Sequence, residues 1–321
     1  MSEHYAFTYG PVPSRRLGRS LGVSPIPHKT CSYSCVYCQL GRTTRLLAER
    51  KSFFDQKDIL DEIMGRVETS EMDFITFVGD GEPTLSLDLG WLIRKVKKAV
   101  NVPIAVITNG STLYMEDVRQ ELTAADVVMP SLDAGSEAVF KAVNRPHGSI
   151  SFQAVVRGLM DFRKVFAGQL WLEVMLVQDV NDDDRSLRDI ATILERVHPD
   201  RVYLTTPIRP PAESWVDIPT VERILRAQEL LGDAIGITEL EGDGFDLHGF
   251  HSASEALLDI GSRHPLRLEQ AHAIEQKFSE TNTVASMLEN EELIQVTYHA
   301  QDYLLPHSFI RSVRQPRGRT S

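Results

Sequence analysis

The sequence predicts an α/β fold on a parallel sheet, followed by a smaller module of three helices and a hairpin. Three observations predict it. Apolar runs of strand length alternate with amphipathic stretches of helix length six times before residue 235. Each polar, glycine-punctuated motif falls where one of those runs ends. After Gly242-Asp-Gly-Phe-Asp246 the alternation stops. Strand and helix in turn, over short connections, require βαβ crossovers, and those build parallel sheets.

Residues 9–19 read as a turn-rich lead-in, punctuated by glycine and proline. Residues 20–26 form the first strand. Residues 57–67 carry Ile59, Leu60, Ile63, Met64 and Val67, the spacing of a buried helical stripe. Residues 73–78 are a continuous apolar run, as in a strand buried on both faces. Helix then follows at 89–100, strand at 102–107, helix at 113–122 and strand at 126–132. Helices are expected at 136–143 and 152–165, strand at 170–177, helix at 184–197, strand at 201–206 and helix at 220–231. Six units are fewer than the eight of a closed barrel. The periodicity alone also fits an open, doubly wound sheet.

The 321 residues carry a net charge of −11, with ordinary apolar and charged fractions for a soluble globular chain. No apolar run approaches the ~18 residues that span a bilayer, and residues 1–10 lack a basic-then-apolar signal. A cytoplasmic protein without membrane attachment is expected. Net acidity argues against a general nucleic-acid binder, whose affinity rests on neutralising phosphates. Locally the balance reverses: Arg15, Arg16, Arg19, Lys29, Arg42, Arg45, Arg50 and Lys51 flank one loop, against Glu49. Such a collar could balance a negative centre, steer an anionic substrate or meet the acidic face of an electron donor.

That loop holds the 3 cysteines of the chain, Cys31, Cys35 and Cys38. They are too few and too clustered for a disulfide framework. Their spacing lets one loop fold three thiolates round a metal centre, with one position open for chemistry. A structural zinc site would need a fourth ligand, and His28 is the nearest candidate. Gly79-Asp80-Gly81-Glu82-Pro83 ends the second strand, where glycines allow close backbone approach and Glu82 can accept from an ammonium group. It could equally be a helix-start turn. Thr108-Asn109-Gly110 ends the third strand, either as a turn or as pocket lining. Ser131 and Asp133 end the fourth and could cap the next helix.

The Cys-x₃-Cys-x-aromatic-Cys pattern, with Tyr37 as the aromatic, resembles the cluster loop of radical S-adenosylmethionine (SAM) enzymes. The resemblance spans roughly residues 20–235. It implies a (β/α)6 partial TIM barrel, one [4Fe–4S] cluster on Cys31, Cys35 and Cys38, and SAM on the open iron. It further implies that the cluster reductively cleaves SAM to a 5′-deoxyadenosyl radical, which abstracts hydrogen from a substrate. Gly79, Asp80, Gly81, Glu82 and Pro83 then match the family's Gly-Gly-Glu motif for the methionyl amino group, with Asp80 departing from it. Ser131 and Asp133 match the ribose contacts, with Thr108 and Asn109 lining the pocket beside them. Met175 and Val177 match the apolar shelf under the adenine, and Thr206 and Pro207 its edge contacts. An electron donor such as flavodoxin or ferredoxin is implied.

Within the superfamily, residues 81–85 and 131–147 most resemble the wyosine-type tRNA synthetase branch. That branch needs a second cluster, and no cysteines remain here to hold one. An RNA nucleoside, a peptide or a small metabolite is therefore the expected range of substrates. Arg145 and His147 could face substrate at the mouth. Asp179 to Asp184 reads as an acidic loop and helix cap.

The chain divides into a barrel with N-terminal extension (1–245), a winged-helix-like domain (252–309) and a basic tail (310–321), expected to be disordered. Helices at 254–263, 267–278 and 282–289 precede strands at 293–298 and 300–306. Winged helices often bind DNA, but acids outnumber bases here, which favours protein or peptide docking, or a lid on the barrel. The alternative for the whole chain is a metal-stabilised winged-helix binding or regulatory protein without catalysis.

Overall fold

The computed structural model describes residues 6–232, 234–237, 245–247 and 249–307. The chain opens on an antiparallel pair, β1 (Thr8–Ser14) and β2 (Gly18–Val23). Residues 9–19 are thus mostly paired backbone rather than the loose lead-in expected. Pro11 and Pro13 fit because β1 lies at the sheet's edge, where a missing N–H costs no ladder bond.

β3 (Thr30–Cys31) and β4 (Arg45–Leu46) pair in parallel and pin the two ends of the cysteine loop. Then come α1 (Gln56–Thr69), β5 (Phe74–Phe77), α2 (Leu89–Ala99), β6 (Ile104–Thr108), α3 (Glu116–Leu122) and β7 (Val127–Pro130). α4 (Glu137–Val143), α5 (Phe152–Val165), β8 (Gln169–Met175), α6 (Asp184–Val197), β9 (Arg201–Thr205), α7 (Val221–Leu230) and β10 (Ile235–Ile237) complete the first part. Helix starts are set by side-chain caps: Asp55 for α1, Ser136 for α4, Ser151 for α5, Asp183 for α6 and Thr220 for α7.

One 8-stranded sheet runs β1-β2-β5-β6-β7-β8-β9-β10, and each pair from β2 onward is parallel. Strand order never reverses, so there is no doubly wound switch point. The sheet curls as a half-barrel. Side chains alternate between its faces, as strand geometry demands. Ile75, Phe77, Ile104, Val106, Val128, Leu170, Leu172 and Val174 share one core with the helices. Ala105, Val127, Met129, Trp171 and Tyr203 form a second cluster on the opposite face.

The C-terminal module contains α8 (Ala253–Arg263), β11 (Leu266–Arg267), α9 (Leu268–Lys277), α10 (Thr283–Glu289), β12 (Leu293–Tyr298) and β13 (Gln301–Pro306). The hairpin is extended by β11 into a sheet of order β11-β13-β12. Two residues are too few to show periodicity, which is why the sequence hid that strand. Ala256, Leu257, Ile260, Ile274, Met287 and Leu304 give the module its own core, and Val12 of β1 packs against it. Residues 310–321 lie outside the described residues, so the structure bears on neither the tail nor its order.

Candidate active site

Loops from successive strands meet at the carboxyl ends of the parallel sheet, where parallel α/β folds place ligands. They enclose a cavity of about 290 Å³. Cys31, Cys35 and Cys38 all line it, with Tyr37, Gly79, Asp80, Gly81, Glu82, Thr108, Asn109, Ser131, Met175, Thr206 and Pro207. The positions that sequence reasoning marked on separate strand ends are therefore mostly neighbours in space.

The cysteine loop is fixed from two sides. From one, Glu82 N donates to Thr30 O at 3.1 Å and Lys29 N to Asp80 O at 2.6 Å. Gly81 lies flush on this loop: a Cβ there would fall 1.8 Å from Thr30 O. From the other, Val36 N donates to Val143 O at 2.9 Å, Ser34 N to Asn144 O at 3.1 Å and His147 N to Ser32 O at 2.8 Å. Asn144-Arg145-Pro146-His147 thus cradles the loop through its backbone. The Arg145 side chain pairs with Glu213 at 2.6 Å, and Arg42 holds the same carboxylate through two bonds of 2.7 Å. Those bonds keep Glu213 below the usual glutamate range.

Glu82 is buried, and its Oε1 accepts from Thr84 Oγ1 at 2.5 Å, Thr84 N at 3.0 Å and Thr108 Oγ1 at 2.6 Å. Oε2 accepts from Asn109 N at 2.6 Å, leaving a lone pair on an oxygen of a cavity-lining residue. Burial pushes this carboxyl above its ordinary range, against those four bonds. Thr108 and Asn109 therefore act first as supports that orient Glu82. Asn109 Nδ2 also reaches Cys31 Sγ at 3.5 Å, and Asn144 Nδ2 reaches Cys35 Sγ at 3.5 Å.

Three predicted positions lie off the cavity wall. Asp133 is 3% exposed and bonded inward, accepting from Tyr37 Oη at 2.5 Å, Asn144 Nδ2 at 2.6 Å and Met175 N at 2.9 Å. Burial raises it to about 6. Neither Ser131 nor Asp133 caps α4, which Ser136 does itself. Val177 sits in a small apolar cluster with Val36 and Val216, and Pro83 opens a buried 3₁₀ turn, Pro83–Leu85. Sequence reasoning missed Tyr33, Asn144 and Arg263. Only Asn144 left a signal, in the stretch where its neighbours Arg145 and His147 drew attention instead.

The donor set fits an iron–sulfur cluster. A closed zinc site would need a fourth protein ligand beside the three thiols, and His28, the nearest candidate in sequence, instead faces Asp80 at 3.7 Å. The three cysteines line one cavity of about 290 Å³, with side-chain amide N–H groups aimed at two of the sulfurs. Burial pushes the Cys31 thiol up to about 12, with Cys35 and Cys38 also raised. Such thiols become thiolates only beside a compensating positive charge, which a metal centre provides. The buried Tyr33 hydroxyl, on the cavity wall, has no hydrogen-bond partner among the described residues.

A half-barrel of parallel strands with three cysteines, a carboxylate and glycine-rich loops at one end is the architecture of radical SAM enzymes. The model of the Radical SAM superfamily matches residues 26–190, just over half of the 321, and the chain belongs to that family. It is 34% identical over 307 residues to a UPF0026 protein of Methanocaldococcus jannaschii, covering 92% of this chain and 95% of that one. Among solved structures, a radical SAM methyltransferase from Sphaerobacter thermophilus aligns with a TM-score of 0.52. Its 18% identity, over 68% of this chain and 66% of that one, shows the shared fold alone. A structure of TYW1 with a lysine-pyruvate adduct bound aligns over 90% of this chain and 80% of that one at 15% identity, with a TM-score of 0.44.

Proposed function

We propose that this radical SAM enzyme carries one [4Fe–4S] cluster on Cys31, Cys35 and Cys38 and uses it to cleave SAM reductively. When bound, cluster and SAM together supply an electron and a 5′-deoxyadenosyl radical that takes hydrogen from the substrate. The protein's part is placement. Three sulfurs present one face of the cavity, and Glu82, locked by Thr84, Thr108 and Asn109, offers an anionic acceptor for the methionyl ammonium. Asp133 does its work through Tyr37 and Asn144, holding the cysteine loop, while Ser131 stands on the wall where ribose hydroxyls would lie. Met175, Thr206 and Pro207 supply the adenine side and exclude water.

The observation that carries this reading is that the three cysteine residues and Glu82 line one cavity at the sheet's carboxyl rim. The substrate is an RNA nucleoside, a peptide or a small metabolite, and the electron donor is of flavodoxin or ferredoxin type, in a reducing cytoplasm. The C-terminal module is winged-helix-like: its order α8-β11-α9-α10-β12-β13 and sheet β11-β13-β12 support that reading. Its role is docking or lid rather than DNA binding, since its acids oppose phosphate contacts.

Anaerobic reconstitution tests the function. About four irons and sulfides per chain, with 5′-deoxyadenosine formed on reduction with SAM, are expected. A protein that takes up one zinc, or that gives no 5′-deoxyadenosine when loaded with iron, overturns it.

A further inference from the structure

Asp80 stands where the family motif has glycine, and the structure gives it a partner. Its side chain is buried, and both carboxylate oxygens face Arg263: Nε lies 3.4 Å from Oδ1 and 3.5 Å from Oδ2. His28 Nδ1 stands 3.7 Å from Oδ1. Arg263 is the last residue of α8, in the C-terminal module. Its guanidinium lies over the Tyr9 ring at 5.3 Å, bonds Asp259 at 2.8 Å, and lines the same cavity as the cysteines.

The same residue touches the cysteine loop by its backbone. Gln39, next after Cys38, donates from Nε2 to Arg263 O at 3.1 Å, and its Oε1 accepts from Arg209 at 2.7 Å. One helix end therefore grips both loops, by side chain the loop that presents Glu82 and by carbonyl the loop that carries Cys38. Asp80 cannot shift alone, because its carbonyl accepts from Lys29 N at the start of the cysteine loop. Arg263 keeps Asp259 if the contact opens, whereas the buried Asp80 carboxylate is left with only His28 at 3.7 Å, so opening is costly on the loop's side.

We propose that Arg263 is a positioning residue, and that the Asp80–Arg263 pair couples seating of the C-terminal module to the loop that holds Glu82. Module seating and SAM binding then favour each other, by the same factor in both directions. The claim rests on the cavity being the SAM site, and it gives the buried Asp80 carboxylate a role there. The module completes the site instead of merely standing beside it.

The variants are Arg263→Gln, Arg263→Lys, Asp80→Asn and the Asp80→Asn/Arg263→Gln double. In reconstituted protein, equilibrium dialysis with labelled SAM gives affinity, and the EPR change on adding SAM to the reduced cluster gives its seating. Hydrogen exchange of peptides 79–85 and 253–263, before reconstitution, gives module seating without cofactor. Arg263→Gln is expected to weaken SAM binding about tenfold and to speed exchange in both peptides. Arg263→Lys restores most of each, and the double variant is no weaker than the worse single. Should Arg263→Gln not fold, Asp80→Asn and Arg263→Lys carry the comparison. SAM affinity within about twofold of wild type, or single losses that multiply in the double variant, overturns the coupling. If wild-type protein binds no SAM, the functional reading falls instead. The coupling is then judged by exchange at 79–85, where faster exchange in Arg263→Gln supports it and unchanged exchange refutes it.

Discussion

Gly81→Ala puts the meeting of two cavity-lining loops under direct strain. An added Cβ would stand 1.8 Å from Thr30 O and 2.6 Å from Thr30 C, where real contacts do not fall below 3.0 Å. Both neighbours are backbone, so no side chain can swing away. Restoring contact means parting the loops by roughly 1.2 Å, which overpacking data put at about 1–3 kcal/mol. The movement also stretches Glu82 N to Thr30 O and Lys29 N to Asp80 O, each worth about 1 kcal/mol. The total is roughly 3–5 kcal/mol, on the order of a 10 °C fall in melting temperature for a chain of this size. Gly65→Ala is the control. Gly65 lies on the exposed side of α1, with nothing within 4 Å of the added atom. It should gain about 1 kcal/mol from helix propensity. Melting by circular dichroism, with iron counted after anaerobic reconstitution, reads both effects. A Gly81→Ala protein that melts with wild type and holds its iron would refute the argument.

Glu82→Gln places an amide where Oε2 now accepts from Asn109 N, and removes the anion facing the cavity. SAM affinity should fall by about tenfold or more in equilibrium dialysis; unaltered binding would remove Glu82 from the site. Asp133, raised to about 6 by burial, holds its proton more tightly in the folded than in the unfolded chain. Its contribution to stability is full below the unfolded value near 4 and is lost as pH rises to about 6, by roughly 3 kcal/mol. In urea titrations of the unreconstituted chain across that window, Asp133→Asn should flatten the slope; a curve parallel to wild type contradicts the assignment. Glu213→Gln strands Arg42 and Arg145 together and should cost about 2 kcal/mol in urea unfolding, with no loss showing that the pairs are dispensable.

The fold was legible wherever burial imposed a period. Residues 73–78, 102–107 and 201–206 read as strands because both faces are covered, and β5, β6 and β9 occupy those places. The cysteine cluster was legible because its three thiols fall within one short loop, and Glu82 because it ends a strand beside two glycines. What stayed hidden was set by long-range pairing. β1 looks like a turn region by its prolines and becomes a strand only because β2 lies alongside. Asp133 matches a ligand-contacting pattern, yet Tyr37 and Asn144, 96 and 11 residues away in sequence, take one of its oxygens. The Asp80–Arg263 pair joins residues 183 apart, and no local window contains both.

A sheet that stops half-way round leaves two raw margins, each a template on which a neighbouring molecule could lay a strand. On β1, prolines at 11 and 13 remove two backbone donors from the margin, and the Pro11 carbonyl already accepts from Asp246 N at 3.2 Å. The far margin, β10, is three residues long. Among the described residues, each margin is short or interrupted by proline, which leaves a neighbouring strand few vacant amides to pair with.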